Sequence, residues 1–473
     1  MFRIESVRSP RCELHFGRRK QGDNHVSVIT GPNGSGKTEI LTTLANWFRN
    51  QGHRRHSSNT SVSWVSGGAS NFGVPSRVIA QTFSPFSRFA APRNVNLTLL
   101  DIYADDARDT GIYRSVGINR MTRGMSSTLS KRTLERGIFQ LTESPEHART
   151  LGHVLYELGF LDRITLSYRQ NALGLEAYNA YSSGLLGDFV SRATSRPRIK
   201  SPLMREVERE GLADVTRLLE SAFDLLREHM RQSIFEFTFD FAHARASEDF
   251  AVLQALTLLR RLNLLHLESC KVTSIHSGKP LDLADASSGQ QQMLCSLVGL
   301  LSELRDDSLV LIDEPELSLH PTWQMTFLDR LKVLLRQVRG CHIILATHSP
   351  LIVQSALRAN LEVLQLYDDF EGAPADVSRQ YGERASVEST LLDVFGTPVT
   401  DSVYLSNEVF DIVTGAESGG ATSRNAARAR LRKLQTLYSR QETRANPGDL
   451  NIIEKALQLV SAADDEEAIP DVK

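Results

Sequence analysis

The sequence predicts an α/β fold with a mostly parallel central sheet, a helical insertion and a helical C-terminal extension. Three observations support this class. A β-rich run at Val26–Thr30 leads through a glycine-rich loop into a segment with apolar residues at helical spacing. Continuous apolar runs, SLVLI before Asp313 and CHIILAT before His348, are typical of buried parallel strands. Residues 100–247 carry apolar side chains at i, i+3 and i+4, interrupted by Gly, Ser and Pro.

The composition is that of a folded globular chain, with 473 residues, 41% of them apolar and 23% charged. The net charge of −2 is uninformative about a nucleic-acid partner, because local basic patches could still bind one. No apolar stretch has the length of a signal peptide or a membrane span, so we expect a cytoplasmic protein that does not bind a membrane. Neither a disulfide framework nor a structural zinc is expected, because the cysteines lie far apart, at Cys12, Cys270, Cys295 and Cys341.

The remaining elements follow in order along the chain. Further β-rich runs surround the first helix, at Phe2–Val7, Glu13–Phe16, Ser61–Val65 and Arg77–Ala80. The insertion cannot be a long coiled coil, because prolines interrupt every candidate run. Strands and helices then alternate up to about residue 365. The last hundred residues are predicted to be helical and include LRKLQTLYSRQ.

The octapeptide GPNGSGKT matches the pattern of a phosphate-binding loop and stands between a predicted strand and a predicted helix. Glycines let successive backbone N–H groups turn toward phosphate oxygens, and the helix N-terminus adds partial positive charge. Lys37 is expected to reach the β- and γ-phosphates, and the Thr38 hydroxyl to bind Mg²⁺. The predicted ATP-binding residues are Gly31, Pro32, Asn33, Gly34, Ser35, Gly36, Lys37 and Thr38.

A strand that ends in carboxylates should complete such a site, and LVLIDE provides one at Leu309–Glu314. Asp313 is predicted to hold Mg²⁺, and Glu314 to activate the attacking water as general base. Alone, this ending would often mark only a strand edge and a helix cap, but the phosphate loop makes it half of an ATP site. The presence of Glu314 disfavours a scaffold that binds ATP without turnover.

The segment DASSGQQQ, at Asp285–Gln292, places a Ser-Gly turn far from the phosphate loop. A turn that opens a helix offers N–H groups and a hydroxyl to an anion. In a two-fold dimer such a turn can reach the ATP of the other subunit, so that binding forms the interface and hydrolysis loosens it. We therefore expect Ser287, Ser288 and Gly289 to bind nucleotide in trans.

With these residues in place, the chain resembles an ABC-type P-loop ATPase head of the kind shared by SMC-like repair proteins and OLD-type ATPases. The motifs occur in the family's order: GPNGSGKT (Walker A), Gln81 (Q-loop), ASSGQ (signature), LVLIDE (Walker B), SLHP at Ser318–Pro321 (D-loop) and His348 (switch histidine). By this resemblance Gln81 senses Mg²⁺ and the attacking water, and His348 contacts the γ-phosphate. The signature departs from the family at Ala286 and Ser288, where Leu and Gly are usual.

The resemblance implies a head made of residues 1–98 and 248–365, a helical insertion at 99–247 and a helical C-terminal lobe at 366–473. The insertion is too long for a transporter ATPase and lacks the coiled coil of an SMC protein. This compact arrangement, EPELSLHP after the acidic strand and the C-terminal extension are similar to ATPases of bacterial antiphage systems, especially the Septu and retron-associated ATPases.

No Toprim-like DxD and no HNH-like cluster follows residue 365, so a nuclease is expected on a separate chain. The sequence therefore predicts an ATPase that acts as a nucleotide-gated homodimer or higher homo-oligomer and senses or regulates a partner effector nuclease. ATP and Mg²⁺ are the expected cofactors. The alternative is a stand-alone DNA-repair ATPase of the RecF or SMC kind, whose ATP-closed dimer binds DNA.

Two basic stretches, Arg108–Arg136 and Arg424–Arg444, could contact nucleic acid. Each phosphate that such residues neutralise would add salt-dependent affinity. A solvated helix face and a dock for an acidic partner surface remain alternatives for both stretches.

Overall fold

The computed structural model describes residues 2–17, 24–49, 60–66, 73–83, 89, 112–117, 137, 145–195, 201–241, 248–317, 319–367, 374–378, 386–418, 421–439 and 447–467. The chain forms two compact units. The first contains residues 1–27 and 36–347, and the second contains residues 28–35 and 348–473. The strand before the phosphate loop, His25–Thr30, therefore contributes its first half to one unit and its second half to the other.

The described strands are β1 (Phe2–Arg8), β2 (Glu13–His15), β3 (His25–Thr30), β4 (Ser61–Ser66), β5 (Val78–Thr82), β6 (Tyr113–Gly117), β7 (Phe160–Gln170), β8 (Ile234–Asp240), β9 (Leu265–Ser274), β10 (Pro280–Asp282), β11 (Leu309–Asp313), β12 (His342–Ala346), β13 (Glu362–Gln365) and β14 (Ala375–Asp376). The main helices are α1 (Lys37–Arg49), α2 (Pro145–Glu157), α3 (Ala172–Ser182), α4 (Leu186–Thr194), α5 (Pro202–Glu210), α6 (Leu212–Leu225), α7 (Glu248–Arg261), α8 (Ser288–Glu303), α9 (Pro321–Leu335), α10 (Pro350–Arg358), α11 (Val403–Ser418), α12 (Ala421–Tyr438) and α13 (Pro447–Glu467). A π-helical turn spans Thr390–Val394.

The main sheet of the first unit has the strand order β3-β12-β11-β5-β6. Strands β12, β11, β5 and β6 run parallel to one another. Every residue of β5, β11 and β12 is buried, as expected for strands that helices cover on both faces. The predicted α/β fold with a mostly parallel sheet is confirmed, and β3, β5, β11 and β12 begin and end within two residues of the predicted positions, whereas β6 lies in the region predicted to be helical.

Helix α1 forms where the sequence predicts it, directly after the phosphate loop. Its apolar residues Ile40, Leu41, Leu44 and Phe48 recur at helical spacing and are buried. Glu39 in the first turn and Arg49 in the last turn complement the helix dipole. The burial of this face keeps the first turn of the helix next to the sheet.

The first unit also contains two antiparallel sheets, with the orders β2-β1-β4 and β10-β9-β7-β8. The second of them corrects the expectation of a helical insertion at residues 99–247. This region contains β6, β7 and β8 as well as five helices in its described part. Strand β7 is eleven residues long and buries Ile164, Leu166 and Tyr168 at every second position, a period of two that the surrounding helical patterns obscure. The insertion is therefore mixed α/β.

The second unit contains the strand order β14-β13-β3 and a bundle of α11, α12 and α13. The core of the bundle includes Leu405, Leu431 and Ile453, each fully buried. A polar network closes one side of it, where Arg430 donates to the carboxylates of Asp393 and Glu408. The predicted C-terminal helical lobe thus has its own packed core.

No helix among the described residues has the length and apolar character needed to cross a bilayer. All four cysteines are free, and three of them are buried.

His342 in β12 is fully buried and uses both ring nitrogens. Its Nδ1 accepts a hydrogen bond from the Ile4 backbone N–H at 3.0 Å, so the proton is on Nε2, which lies 3.1 Å from the Ser27 hydroxyl. Burial lowers the pKa of His342 well below its usual value of 6.5, and the neighbouring His25 and Arg3 lower it further. The neutral ring therefore joins β1, β3 and β12.

The free energy of unfolding should fall below pH 6.5, because the unfolded chain then binds a proton at His342 that the folded chain excludes. The slope due to this group is about 1.4 kcal/mol per pH unit. His342→Asn keeps an acceptor for Ile4 and cannot titrate, so its stability should depend less on pH when urea unfolding is followed at several pH values. His15→Asn, at an exposed histidine, is the control. Equal slopes in the wild type and His342→Asn would contradict the prediction.

Candidate nucleotide site

The phosphate loop, Gly31–Thr38, connects β3 to α1 and depends on its glycines. Gly31, Gly34 and Gly36 have φ values of 147°, 89° and 93°, in the region that favours glycine. At Gly31 a Cβ atom would also lie 2.4 Å from the backbone oxygen of Leu366, which no side chain could tolerate. The start of the loop therefore packs directly against the Leu366 backbone. Pro32, Asn33 and Gly34, which follow, are exposed.

The last two residues of the loop meet the acidic strand. The Thr38 hydroxyl donates to Asp313 Oδ1 at 3.0 Å, although the two residues are 275 positions apart in the sequence. Lys37 is 5% exposed and Asp313 is 3% exposed. The structure thus brings together Lys37, Thr38 and Asp313, the residues from which the sequence predicts phosphate and cation binding.

The surroundings of Asp313 prepare it for a cation. Burial raises the pKa of this carboxyl to about 7, and the charges of Glu314 and Glu316 also raise it, while the Thr38 hydroxyl and Lys37 oppose the shift. Among the residues that the structure describes, no group of three His, Cys, Asp or Glu side chains could hold a metal. Thr38 and Asp313 fit Mg²⁺, which commonly takes one or two protein oxygens and completes its shell with phosphate oxygens and water.

Glu314, the predicted general base, has an unusual backbone. Its φ is 50°, in the left-handed region, and its N–H donates to the Ala346 carbonyl at 2.9 Å. A non-glycine residue in this conformation costs roughly 1–2 kcal/mol, and such strain concentrates at functional positions. The chain leaves the sheet at this residue. Glu314 is half-buried and is the next residue after Asp313.

Two further residues of the site carry no signal that identifies their role from the sequence. The hydroxyl of Thr347, which is fully buried, donates to Glu316 Oε2 at 2.8 Å. Glu316 contributes to the raised pKa of Asp313. This pair joins the turn after β11 to the end of β12. The motif residues EPE and ATHSP contain both positions, but their contact is visible only in the folded chain.

His348 directly follows Thr347 and is half-buried. The next residue, Ser349, caps α10, because its side chain accepts from the Ile352 N–H at 3.3 Å. In the predicted D-loop, Ser318 lies outside the described residues, and His320 caps α9 by accepting from the Thr322 N–H. The roles of His348 and of the D-loop stay predictions.

The structure places Gln81 and Asp313 on opposite faces of the main sheet. In the parallel register of β5 and β11, Gln81 is opposite Ile312, and Thr82 is opposite Asp313. Since successive side chains point to opposite faces, Gln81 and Asp313 lie on different faces of the sheet. The Gln81 amide is 1% exposed and donates to the Ser296 carbonyl at 3.0 Å. This geometry does not support the predicted contact with Mg²⁺. The sequence could not show this, because a motif carries no information on strand register.

The signature segment forms the first turn of α8, and three consecutive glutamines build it. Ser287 is the N-cap: its hydroxyl accepts from the Gln290 N–H, and the Gln290 side chain accepts from the Ser287 N–H. The Gln291 amide donates to the carbonyls of Ala284 and Ala286. Gln292 donates to the carbonyl of Phe83, the residue directly after β5. Ser287 and Ser288 are exposed at this helix N-terminus, and Gly289 is buried.

The structure describes the two basic stretches to different extents. Of Arg108–Arg136, only residues 112–117 are described. In the second stretch residues 440–446 lie outside the described part, and α12 presents Arg432 and Lys433 to solvent. Arg424 is 7% exposed, and Arg430 binds two carboxylates. Much of the basic charge of this helix is therefore used inside the bundle.

Residues 153–354 match the model of the family described as "AAA domain, putative AbiEii toxin, Type IV TA system". The matched region contains the signature turn, the acidic strand and His348. This match covers less than half of the chain, and over that region the chain is similar to this family.

Two curated proteins are similar to parts of this chain. The Retron Vc95 probable ATPase of Vibrio cholerae is 24% identical over 142 residues, covering 28% of this chain and 27% of that protein. The Septu protein PtuA of Bacillus thuringiensis is 37% identical over 98 residues, covering 20% of this chain and 24% of that protein. The matches therefore span about a quarter of the length of these relatives.

A solved structure of the Smc head domain from Pyrococcus furiosus, with an extended coiled coil and bound to the C-terminal domain of ScpA, aligns with 80% of this chain and 98% of its own. The TM-score is 0.30 and the identity 12%. The fold assignment rests on the strands and helices of the chain itself.

The raised pKa of Asp313 predicts a pH-dependent affinity for Mg²⁺ with ATP. Below the pKa of about 7 a proton competes with the cation, so the affinity should fall about tenfold for each pH unit below that value and level off above it. Titration calorimetry at several pH values measures the affinity and, from buffers of different ionisation heat, the proton released. Asp313→Asn corrects for the titration of ATP itself. The same pH dependence in that variant would contradict the prediction.

Proposed function

We propose that this chain binds and hydrolyses ATP as an ABC-type ATPase, that it works as a nucleotide-gated dimer, and that it regulates a separate effector nuclease in bacterial antiphage defence. The observation that carries the ATPase part is the hydrogen bond of Thr38 to Asp313 beside Lys37, with Glu314 as the next residue. We assign the cation position to Thr38 and Asp313 and the carboxylate base to Glu314, at one end of a buried parallel sheet.

Each residue of the site has a distinct task in this proposal. The loop N–H groups and Lys37 hold the phosphates, and Thr38 and Asp313 hold the cation. When bound there, Mg²⁺ would supply positive charge to offset the charge that develops on the phosphate oxygens during transfer of the γ-phosphate to water. The Glu314 carboxylate orients that water and accepts its proton. His348 contacts the γ-phosphate from the end of β12.

The dimer part of the proposal is supported by the signature turn. Ser287 and Ser288 are exposed at the N-terminus of a sixteen-residue helix, where N–H groups and the helix dipole favour an anion. In a two-fold dimer the turn of each subunit would close the ATP site of the other. ATP would then bind as part of the interface, and hydrolysis would release it.

The defence role is supported by similarity to the retron and Septu proteins, whose matched regions are short. The separate effector nuclease is part of the same proposal. We place the four segments 1–98, 99–247, 248–365 and 366–473 as N-terminal head, insertion, C-terminal head and C-terminal lobe, in a cytoplasmic protein.

The alternative, a DNA-repair ATPase that itself binds DNA, has less support. Arg430 binds Asp393 and Glu408, and Arg424 is buried. Among the described basic residues of α12, the exposed ones are Arg432 and Lys433. Within the described part of α12, these two side chains could neutralise only a few phosphates.

Ser288→Arg should abolish ATP-dependent dimerisation and reduce turnover, because a long cation at the exposed signature turn blocks the contact with the other subunit. Glu314→Gln provides the background, since it should trap the ATP-bound dimer. Sedimentation velocity with ATP and Mg²⁺ measures the dimer, and titration calorimetry measures binding to the single chain, which should remain within about twofold. Ser221→Arg, at an exposed serine of α6, is the matched control. Dimers or wild-type turnover in Ser288→Arg would contradict the trans contact.

The partner should be captured by the closed dimer. When the Glu314→Gln chain is purified from its native operon with ATP, mass spectrometry should find a stoichiometric chain with nuclease motifs. The Glu314→Gln, Ser288→Arg double variant should lose that chain if the partner recognises the dimer. Recovery of DNA with no protein partner would instead favour the DNA-binding alternative.

A further inference from the structure

Helix α8 and strand β5 are joined by two buried glutamines that donate in opposite directions. From the strand, Gln81 Nε2 donates to the Ser296 carbonyl of the helix at 3.0 Å. From the helix, Gln292 Nε2 donates to the Phe83 carbonyl at the end of the strand at 3.2 Å. Gln81 is 1% exposed and Gln292 is 7% exposed. Each of these buried amides has a backbone carbonyl as hydrogen-bond partner, as buried polar groups require.

The same strand end is joined to the cation site. The Phe83 N–H donates to the backbone carbonyl of Asp313 at 3.2 Å. Phe83 therefore uses its N–H on the acidic strand and its carbonyl on Gln292. Thr82, the preceding residue, is paired with Asp313 in the parallel ladder. A displacement of Asp313 along its strand thus acts on Phe83 and, through it, on α8.

Gln292 lies in the turn of α8 that immediately follows the signature residues Ser287–Gly289. The capping interactions of Gln290 and Gln291 bind the loop before the helix to its first turn. At the other end of α8, the Glu303 carboxylate forms ion pairs with two arginines. Arg77, directly before β5, lies at 2.9 Å, and Arg114 in β6 lies at 3.4 Å. The helix is therefore held along its whole length, and its first turn cannot move independently of the strand end.

We infer that Gln292 is a positioning residue that couples the chain's own cation site to the signature turn, and thereby couples the two ATP sites of the dimer. This inference rests on the proposed function, because the signature turn is there assigned to the ATP of the other subunit. Occupation of one site fixes Asp313, and Gln292 transmits that position to Ser287–Gly289. ATP bound at a subunit's own cation site thus positions the signature turn of that subunit to contact the ATP of the other subunit.

Gln292→Met tests the coupling, because methionine has a similar length and cannot donate to Phe83. In steady-state hydrolysis against ATP concentration, the wild type should show a Hill coefficient above 1, up to the limit of about 2 for two sites, and the variant about 1. Its kcat should fall between about tenfold and a hundredfold, as for a misplaced catalytic group. Binding of ATP to the single chain, measured with Ser288→Arg also present, should be unchanged.

The matched control is Gln170→Met. Gln170 donates to the carbonyls of Met230 and Gln232 at 2.6 and 3.0 Å in the antiparallel sheet, so the same kind of hydrogen bond is lost away from the site. This variant should keep the wild-type Hill coefficient, since a general loss of stability does not remove cooperativity. A wild-type Hill coefficient and kcat in Gln292→Met would overturn the inference.

A second measurement tests the coupling without altering Gln292. In the Ser288→Arg chain, which binds ATP and is expected not to dimerise, ATP with Mg²⁺ should slow hydrogen exchange at the amides of residues 289–292. Unchanged exchange there would overturn the inference even if Gln292→Met failed to fold. A wild type that forms no ATP-dependent dimer and shows no cooperativity would overturn the proposed function itself, which distinguishes the two failures.

Discussion

The hydrogen bond between the Thr38 hydroxyl and the Asp313 carboxylate is the contact on which the site depends. It requires that the start of α1 and the end of β11 meet. At each of these two positions a neighbouring residue has a positive φ. Gly36 precedes the helix with a φ of 93°, and Glu314 follows the strand with a φ of 50°. The buried sheet and the apolar face of α1 hold these two ends against each other. Without that packing the carboxylate and the hydroxyl would belong to unrelated parts of the chain.

The order of the main strands and helices could be predicted from sequence because the parallel strands are continuous apolar runs and α1 has a clear helical period. The antiparallel sheet of the insertion could not be predicted, since the alternating patterns of β7 and β8 stand among segments with helical spacing. The position of Gln81 could not be predicted either, because a one-residue difference in register decides which face of a sheet a side chain occupies. The contact between Glu316 and Thr347 likewise depends on the neighbouring ends of two strands.

The interior around α8 shows how polar groups can define a packed core. The helix is buried continuously from Gln292 to Glu303, so its position cannot be set by one apolar face alone. Gln81 of β5 donates to the Ser296 carbonyl of the helix, Gln292 donates to Phe83 directly after β5, and Glu303 binds Arg77 directly before β5. Apolar packing tolerates small sliding between a helix and a sheet, whereas an unmatched buried carbonyl or carboxylate carries a large penalty. These polar contacts therefore specify one register for the helix.

The close approach of Gly31 to Leu366 has a consequence for any shortened form of the protein. Leu366 follows β13, and its N–H also donates to the Thr30 carbonyl at 2.8 Å. A fragment that ended after α10 would contain the phosphate loop, the acidic strand, the signature turn and His348, yet it would lack the backbone on which the phosphate loop is supported. The smallest unit that keeps the loop in shape must therefore extend past every recognisable motif, to a strand whose own sequence carries none.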